Sequence, residues 1–194
     1  MKSTNVTGIV ANLEIDQVAV CHQQFACPFS LYDLAKMIEA GTQRVARVAV
    51  GRLTPKKRGE VIAIPTDTFY GLSADPFNLS AIERVFQVKG RPENRALPIL
   101  VNSIEQAVTL MRDVPEPFLV LAQKFWPGAL TLAVEATRRL PRKVTGNNGR
   151  VALRWADSRV TTALIDAVGG PITGTSANLS GHPSCTNAAQ IVEQ

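Results

Sequence analysis

The sequence predicts a single α/β domain, and three observations carry that expectation. Short runs rich in β-branched residues alternate with stretches of helical periodicity. Capping residues, glycines and prolines separate these runs, and no low-complexity linker divides the chain. The length of 194 residues, with 45% hydrophobic and 19% charged residues, suits one globular unit with a substantial core.

The elements follow in order. Residues 1–29 are weakly patterned, with short strands expected at Ile9–Val10 and Val18–Cys21. Ser30 to Ala40 reads as a helix, capped by Ser30, striped by Leu31, Leu34, Ala35 and Ile38, and stopped by Gly41. The β-rich run Val61 to Ile64 ends at Pro65 and leads through the polar turn Thr66-Asp67-Thr68 into Phe69-Tyr70-Gly71. Ser80 with Glu83 reads as a capping box opening a helix with Ile82, Val85 and Phe86 on its apolar face. That helix stops near Gly90, leaving Lys89-Gly90-Arg91-Pro92 as an exposed hinge before the apolar run Leu97 to Val101.

A second capping box, Ser103 with Gln106, predicts a helix to about Met111. Pro115 to Phe125 reads as a further helix with its prolines at the tolerant start, broken by Trp126-Pro127-Gly128. Trp126 is expected to be a core or lid residue. Leu130–Val134 and Val151–Trp155 read as strands, with a turn at Gly146–Gly149 between them. Ser158 to Val168 reads as a helix closed by Gly169-Gly170, Pro171–Thr175 as a strand, and Ser176–Gly181 as its exit loop. Thr186 should cap a last helix.

Composition narrows the function classes. No uninterrupted apolar run approaches the roughly 18 residues of a membrane span, and the N-terminus lacks a secretory h-region. The expectation is a cytoplasmic protein with no membrane partner. Cys21, Cys27 and Cys185 form no CxxC pair, and with His22 and His182 they lack zinc-site spacing, so they read as free thiols. The net charge of +5 is uneven. Arg44, Arg47, Arg52, Lys56, Lys57 and Arg58 cluster without an acid, as do Arg138, Arg139, Arg142, Lys143, Arg150 and Arg154 further on. Such clusters suit phosphate-bearing partners such as RNA, or are ordinary solvated surface.

Two stretches carry candidate chemistry. If Lys89 shares the extended backbone that Pro92 favours at Arg91, both cations project to one side as a polyanion clamp. The bland alternative is a solvated basic helix end. In an extended loop Ser176 and Asn178 would also share a face, offering a hydroxyl and an amide to phosphate or ribose oxygens, or else simply form a turn. There is no Walker loop, no GxGxxG and no Ser-His-Asp or Cys-His arrangement.

Taken together, PTDTFYGL (65–72), KGRP (89–92), FWPGALTL (125–132), VALR (151–154) and TSANLSG (175–181) resemble the YrdC family, the threonylcarbamoyl-AMP synthases of tRNA modification. Order and spacing fit over about residues 60–188. The resemblance implies a twisted, open mixed sheet flanked by helices, with a concave basic cleft, spanning 60–194. Residues 1–59 would be an N-terminal extension with the first helix. The segment Thr42–Arg58 departs from the family pattern, as an insertion or as an N-terminus unusual for the family.

The implied reaction joins L-threonine, bicarbonate or carbon dioxide, and ATP into threonylcarbamoyl-AMP and pyrophosphate. It would be nucleotidyl transfer without a protein nucleophile, driven by positioning and charge stabilisation. By resemblance Lys89 and Arg91 would be catalytic and hold ATP phosphates. Ser176, Asn178 and Ser184 would complete the nucleotide cradle. Thr66 would bind L-threonine and Arg154 its carboxylate, with Thr68 and Thr131 as second contributors. Mg²⁺ would arrive with ATP, Asp67 being left open as a ligand. A threonylcarbamoyltransferase complex acting on tRNA would be the downstream partner. On this expectation, alanine at Lys89 or Arg91 lowers the rate with little change in stability. Three departures stand out: Ala96 where the family has proline, Trp155-Ala156-Asp157-Ser158 after Arg154, and an end at Gln194 before the family's last segment. The alternatives are a tRNA or double-stranded RNA-binding module without catalysis and an inactive truncated paralogue.

Overall fold

A computed structural model of the chain describes residues 18–20, 61–187 and 190–191. The expected strand at Ile9–Val10, the helix over 30–40, the basic stretch 44–58, Cys21, His22 and Cys27 lie outside the described residues.

Strand β2 (Val61–Pro65) lies within one of two mixed sheets, and Val61 to Ile64 are each at most 2% exposed. Its two faces meet different partners. Val61 and Ala63 join the larger core with Ile82, Val85 and Phe86 of helix α1 (Leu79–Lys89). Ile62 and Ile64 join a smaller core with Leu164 and Ile165 of helix α4 (Arg159–Val168). A strand covered on both faces reads as a continuous apolar run, and this one does.

The first sheet has the order β1-β2-β3-β8, where β1 is Val18–Val20, β3 Tyr70–Ser73 and β8 Thr175–Ser176. β1 runs parallel to β2, while β2–β3 and β3–β8 are antiparallel. The second sheet has the order β5-β6-β4-β7, with β4 Ile99–Leu100, β5 Leu132–Glu135, β6 Arg150–Arg154 and β7 Ile172–Thr173. The open, mixed α/β character expected from the sequence is present, divided between these two sheets.

The strand expected over 171–175 is broken at Gly174, where the chain passes from one sheet to the other. A Cβ on Gly174 would lie 2.4 Å from Leu100 Cγ and 2.7–2.8 Å from its methyls, so only glycine fits without displacing Leu100. The Gly174 N–H donates to Pro98 O at 2.9 Å. Thr173 then locks the crossing, its N–H reaching Ala74 O and its Oγ1 accepting from Ala74 N, both at 2.9 Å.

Helix starts follow side-chain capping, with one correction. Asn78 rather than Ser80 caps α1, its Oδ1 accepting the Ala81 N–H at 3.2 Å. Asn is as good a cap as Ser and lies where the chain is still extended, so the helix opens two residues earlier than the capping box suggested. Ser103 caps α2 (Ile104–Val108), which ends before Met111 because Met111 instead bridges to Ala136. Helix α3 (Glu116–Phe125) starts from Pro115 as expected. Trp126 follows it, 7% exposed and edge-on to Phe118 at 5.4 Å, with Nε1 donating to Leu130 O at 2.7 Å. It is a core residue. Ser158 caps α4. Of the last expected helix, 190–191 are helical, and Asn187 Oδ1, rather than the Thr186 hydroxyl, accepts the Gln190 N–H at 3.0 Å.

Candidate functional site

The turn between β2 and β3 is built by its own first threonine. Thr66 Oγ1 donates to Phe69 O at 2.7 Å and lies within 3.3–3.4 Å of the Thr68 and Phe69 N–H groups. The Thr68 hydroxyl sits 3.3 Å from that of Thr66. Register then places Tyr70 opposite Pro65 and Gly71 opposite Ile64, so the turn projects from the strand ends.

Arg154 arrives from the other sheet, at the end of β6 beside Leu100 of β4. Its side chain is 15% exposed and reaches across to this turn. Nη2 donates to Asp67 Oδ1 at 2.6 Å, Nη1 to Thr68 Oγ1 at 3.4 Å, and Nε to Gly128 O at 3.1 Å. Asp67 Oδ2 accepts the Asp157 N–H at 3.2 Å. Both carboxylate oxygens of Asp67 are therefore engaged. Among the described residues no group of three or more His, Cys, Asp or Glu side chains could hold a metal ion.

Between turn and arginine lies a cavity of about 190 Å³. Thr66, Thr68, Thr131, Ser176 and Arg154 give it hydroxyls and one cation; Pro98, Leu100, Tyr70 and the backbone at Gly71 and Gly174 form the rest of its wall, with Phe69 at the exposed rim. The structure thus brings together five residues singled out from sequence. It also adds Leu100 of β4 and Pro98 just before it. Their run read only as core, so nothing local in the sequence marked them as lining.

The two cations of the KGRP stretch are placed differently from expectation. Lys89 is 3% exposed, not part of an exposed hinge. It is the last helical residue of α1, and Gly90 (φ 55°) turns the chain left-handed, with the Gly90 and Arg91 N–H groups returning to Gln87 O and Phe86 O. Lys89 and Arg91 therefore do not share an extended face. Lys89 Nζ donates to Ser176 O and, at 2.7 Å, to Asn178 O, so it braces the 176–178 loop from below. Arg91 turns into its own loop, Nη2 reaching Ala96 O at 2.7 Å and Nε Arg95 O at 3.3 Å. Burial, and then the neighbouring Arg91, lower the Lys89 ammonium to about 8, with Cys185 opposing slightly. The buried Cys185 thiol, pushed up by burial, donates to Ala177 O at 2.9 Å.

Ser176 and Asn178 do not offer a joint pair of donors. Ser176 faces the cavity. Asn178 Nδ2 donates to Leu179 O at 2.9 Å and His182 O at 2.7 Å, holding the following turn, while its buried Oδ1 has no partner among the described residues. Ser184 is half-buried in the next turn, beside Cys185, whose carbonyl accepts the Tyr70 N–H at 2.9 Å.

An α/β domain with a small hydroxyl-lined, arginine-bearing cavity at the seam of two mixed sheets is the class these observations define. Residues 56–194 match the family model for Sua5, YciO and YrdC, described as telomere recombination, and the chain belongs to that family. Similar proteins include the threonylcarbamoyl-AMP synthases of Pyrococcus abyssi (39% identical over 147 residues, 76% of this chain and 42% of the relative) and Bacillus subtilis (40% over 136 residues, 70% and 39%). The chain thus spans about two fifths of the length of these two relatives. The Halorhodospira halophila synthase is 33% identical over 135 residues, 70% of this chain and 71% of the relative. Among solved structures, P. abyssi Sua5 complexed with L-threonine superposes with a TM-score of 0.75 at 37% identity, covering 79% of this chain and 44% of that one. Escherichia coli YciO follows at 0.66 and 25%, covering 73% and 67%. No helix among the described residues is long and apolar enough to cross a membrane.

Proposed function

We propose that the chain is a threonylcarbamoyl-AMP synthase, a nucleotidyl-transferring enzyme that uses L-threonine, bicarbonate or carbon dioxide, and ATP. The observation that carries this reading is the cavity. At about 190 Å³ it is smaller than the roughly 300–1,000 Å³ of drug-sized pockets, and suits an amino acid rather than a whole nucleotide. Arg154 keeps one N–H on each Nη without a partner among the described residues, enough for a carboxylate. Thr66, Thr68 and Thr131 supply hydroxyls, and Pro98 and Leu100 an apolar wall for the threonine methyl.

In the proposed chemistry the threonine amine condenses with bicarbonate to a carbamate, releasing water. A carbamate oxygen attacks the α-phosphorus of ATP, and the bond to the β-phosphate oxygen breaks to release pyrophosphate. The chain's part is to orient the carbamate and to stabilise negative charge on the phosphates. Ser176 lies on the cavity edge, the Asn178 turn follows it with Ser184 further along the same segment, and the Lys89 charge sits beneath with Arg91 just past Gly90. Mg²⁺ comes with ATP in this reading. The product is a reactive mixed anhydride, so a transferase acting on tRNA adenosine is its proposed consumer in the cytoplasm. Exposed Arg138, Arg139, Arg142 and Arg150 favour RNA contact as a second property, which salt-dependent binding of a double-stranded RNA would reveal.

Two expected results follow from this site. L-threonine should bind the wild type measurably by calorimetry, and Arg154→Gln should weaken that binding about ten- to a hundredfold, the range for a hydrogen bond to a charged group. Unchanged affinity would remove Arg154 from the carboxylate site. Because the Lys89 ammonium lies at about 8, kcat/KM for ATP should fall as pH rises through that value, the charge being lost in the free enzyme. Bound phosphates favour the charged form, so the fall in kcat should come at higher pH. A flat kcat/KM profile from pH 7 to 9 would show that Lys89 charge does not act on ATP.

A further inference from the structure

We infer that Asp67 is a positioning residue for Arg154, fixing the guanidinium edge that receives the substrate carboxylate; this deepens, and rests on, the reading of Arg154 just given. The Asp67 side chain is 14% exposed and packs against an Arg154 side chain 15% exposed. Its Oδ1 takes Arg154 Nη2 at 2.6 Å, and its Oδ2 takes the Asp157 N–H at 3.2 Å. The opposite end of the same guanidinium edge is held by Gly128 O, which accepts from Nε at 3.1 Å, while the Gly128 N–H donates to Trp155 O at 2.8 Å. Arg154, Asp67, the 155–157 backbone and Gly128 thus form a closed ring spanning three separate segments of chain.

Two readings of such a pair compete. Asp67 could occupy Arg154 as a stand-in anion that substrate must displace, or it could hold the arginine in place. The second oxygen decides. A displaceable carboxylate needs no anchor of its own, whereas this one is tied to the main chain at Asp157, and the edge it occupies is the one shared with Gly128. Arginine has large rotamer entropy, and the ring removes that freedom before a ligand arrives. The Trp155-Ala156-Asp157 stretch, a departure from the family pattern, provides that anchor through its backbone.

The test is steady-state kinetics on Asp67→Asn and Asp67→Ala, alone and with Arg154→Gln, varying L-threonine and ATP separately. Asp67→Ala should raise KM for threonine on the order of tenfold, with Asp67→Asn intermediate because it keeps a neutral acceptor. KM for ATP and kcat should stay within about twofold, and Asp67→Ala should add little once Arg154 is Gln, since it acts through that residue. A fall in KM for threonine would make Asp67 the competing anion. Equal rises in both KM values with a lowered melting temperature, or additive effects in the double variant, would make it a general brace of the loops. Each of these overturns the proposal. If the wild type releases no pyrophosphate, the functional reading fails by itself; calorimetric L-threonine titrations of the same variants then carry the test. The same order of affinities would support it, and absence of binding by the wild type would overturn it too.

Discussion

Lys89→Ala should lower the free energy of unfolding by about 2–4 kcal/mol, as well as abolishing the charge beneath the site. The ammonium donates to the carbonyls of Ser176 and Asn178 in a place where the residue is 3% exposed. Removing it leaves two acceptors short of a donor, at about 1–3 kcal/mol each, and opens a space where the stem packed. Relief from burying a charge offsets part of this, as the lowered ammonium value implies. For a chain of this size the net change corresponds to a melting temperature lower by about 5–15 °C. Lys89→Met restores the packing and not the hydrogen bonds, so it should recover only part of the loss. A Lys89→Ala protein melting like the wild type, with only the rate reduced, would restore the exposed clamp that the sequence suggested.

Gly146→Ala should be at least as damaging, by about 3–5 kcal/mol. Gly146 has φ +57°, and a Cβ there would lie 2.6 Å from Asn94 O and 2.7 Å from Ala96 N. Both obstacles are backbone, so no side chain can swing aside, and strain and overpacking add. The same contact seats the loop that follows Arg91, because the Leu97 N–H donates to Val144 O at 2.8 Å beside it. Denaturant unfolding with an unchanged m-value and a much lower midpoint is the expected record. The exposed Gly149, also at positive φ (+74°) but with nothing within 4 Å of its would-be Cβ, is the control, and Gly149→Ala should lose far less. Equal losses at the two positions would show that φ alone, and not the close approach, matters.

Most of the elements were readable because each is signalled locally. The apolar run Val61–Ile64, the stripe Ile82–Val85–Phe86, the Ser103 cap and the Gly169 stop depend on neighbours within a few residues. Asn78 was missed as a cap because Ser80 with Glu83 offered a competing capping box two residues later. The site was half legible. Thr66, Thr68, Thr131, Arg154 and Ser176 do meet around one cavity. Their motifs named them, but Arg154 meets the Thr66–Thr68 turn only because its side chain crosses from one sheet to the other. Lys89 went the other way, since periodicity does not say whether the last residue of a helix turns out to solvent or in beneath a loop 87 residues later. The break at Gly174 and the bond from Asp67 to Arg154 were likewise invisible, because both depend on contacts between distant segments.

The most direct measurement is pyrophosphate release from ATP by the purified chain, with L-threonine and bicarbonate supplied separately and together. Release is expected only when both are present. L-serine should replace threonine at a rate about 10- to 200-fold lower, since one missing methyl is worth no more than that in an apolar wall such as Pro98 and Leu100. Release of pyrophosphate at the same rate without any amino acid, or none under any combination, would contradict it.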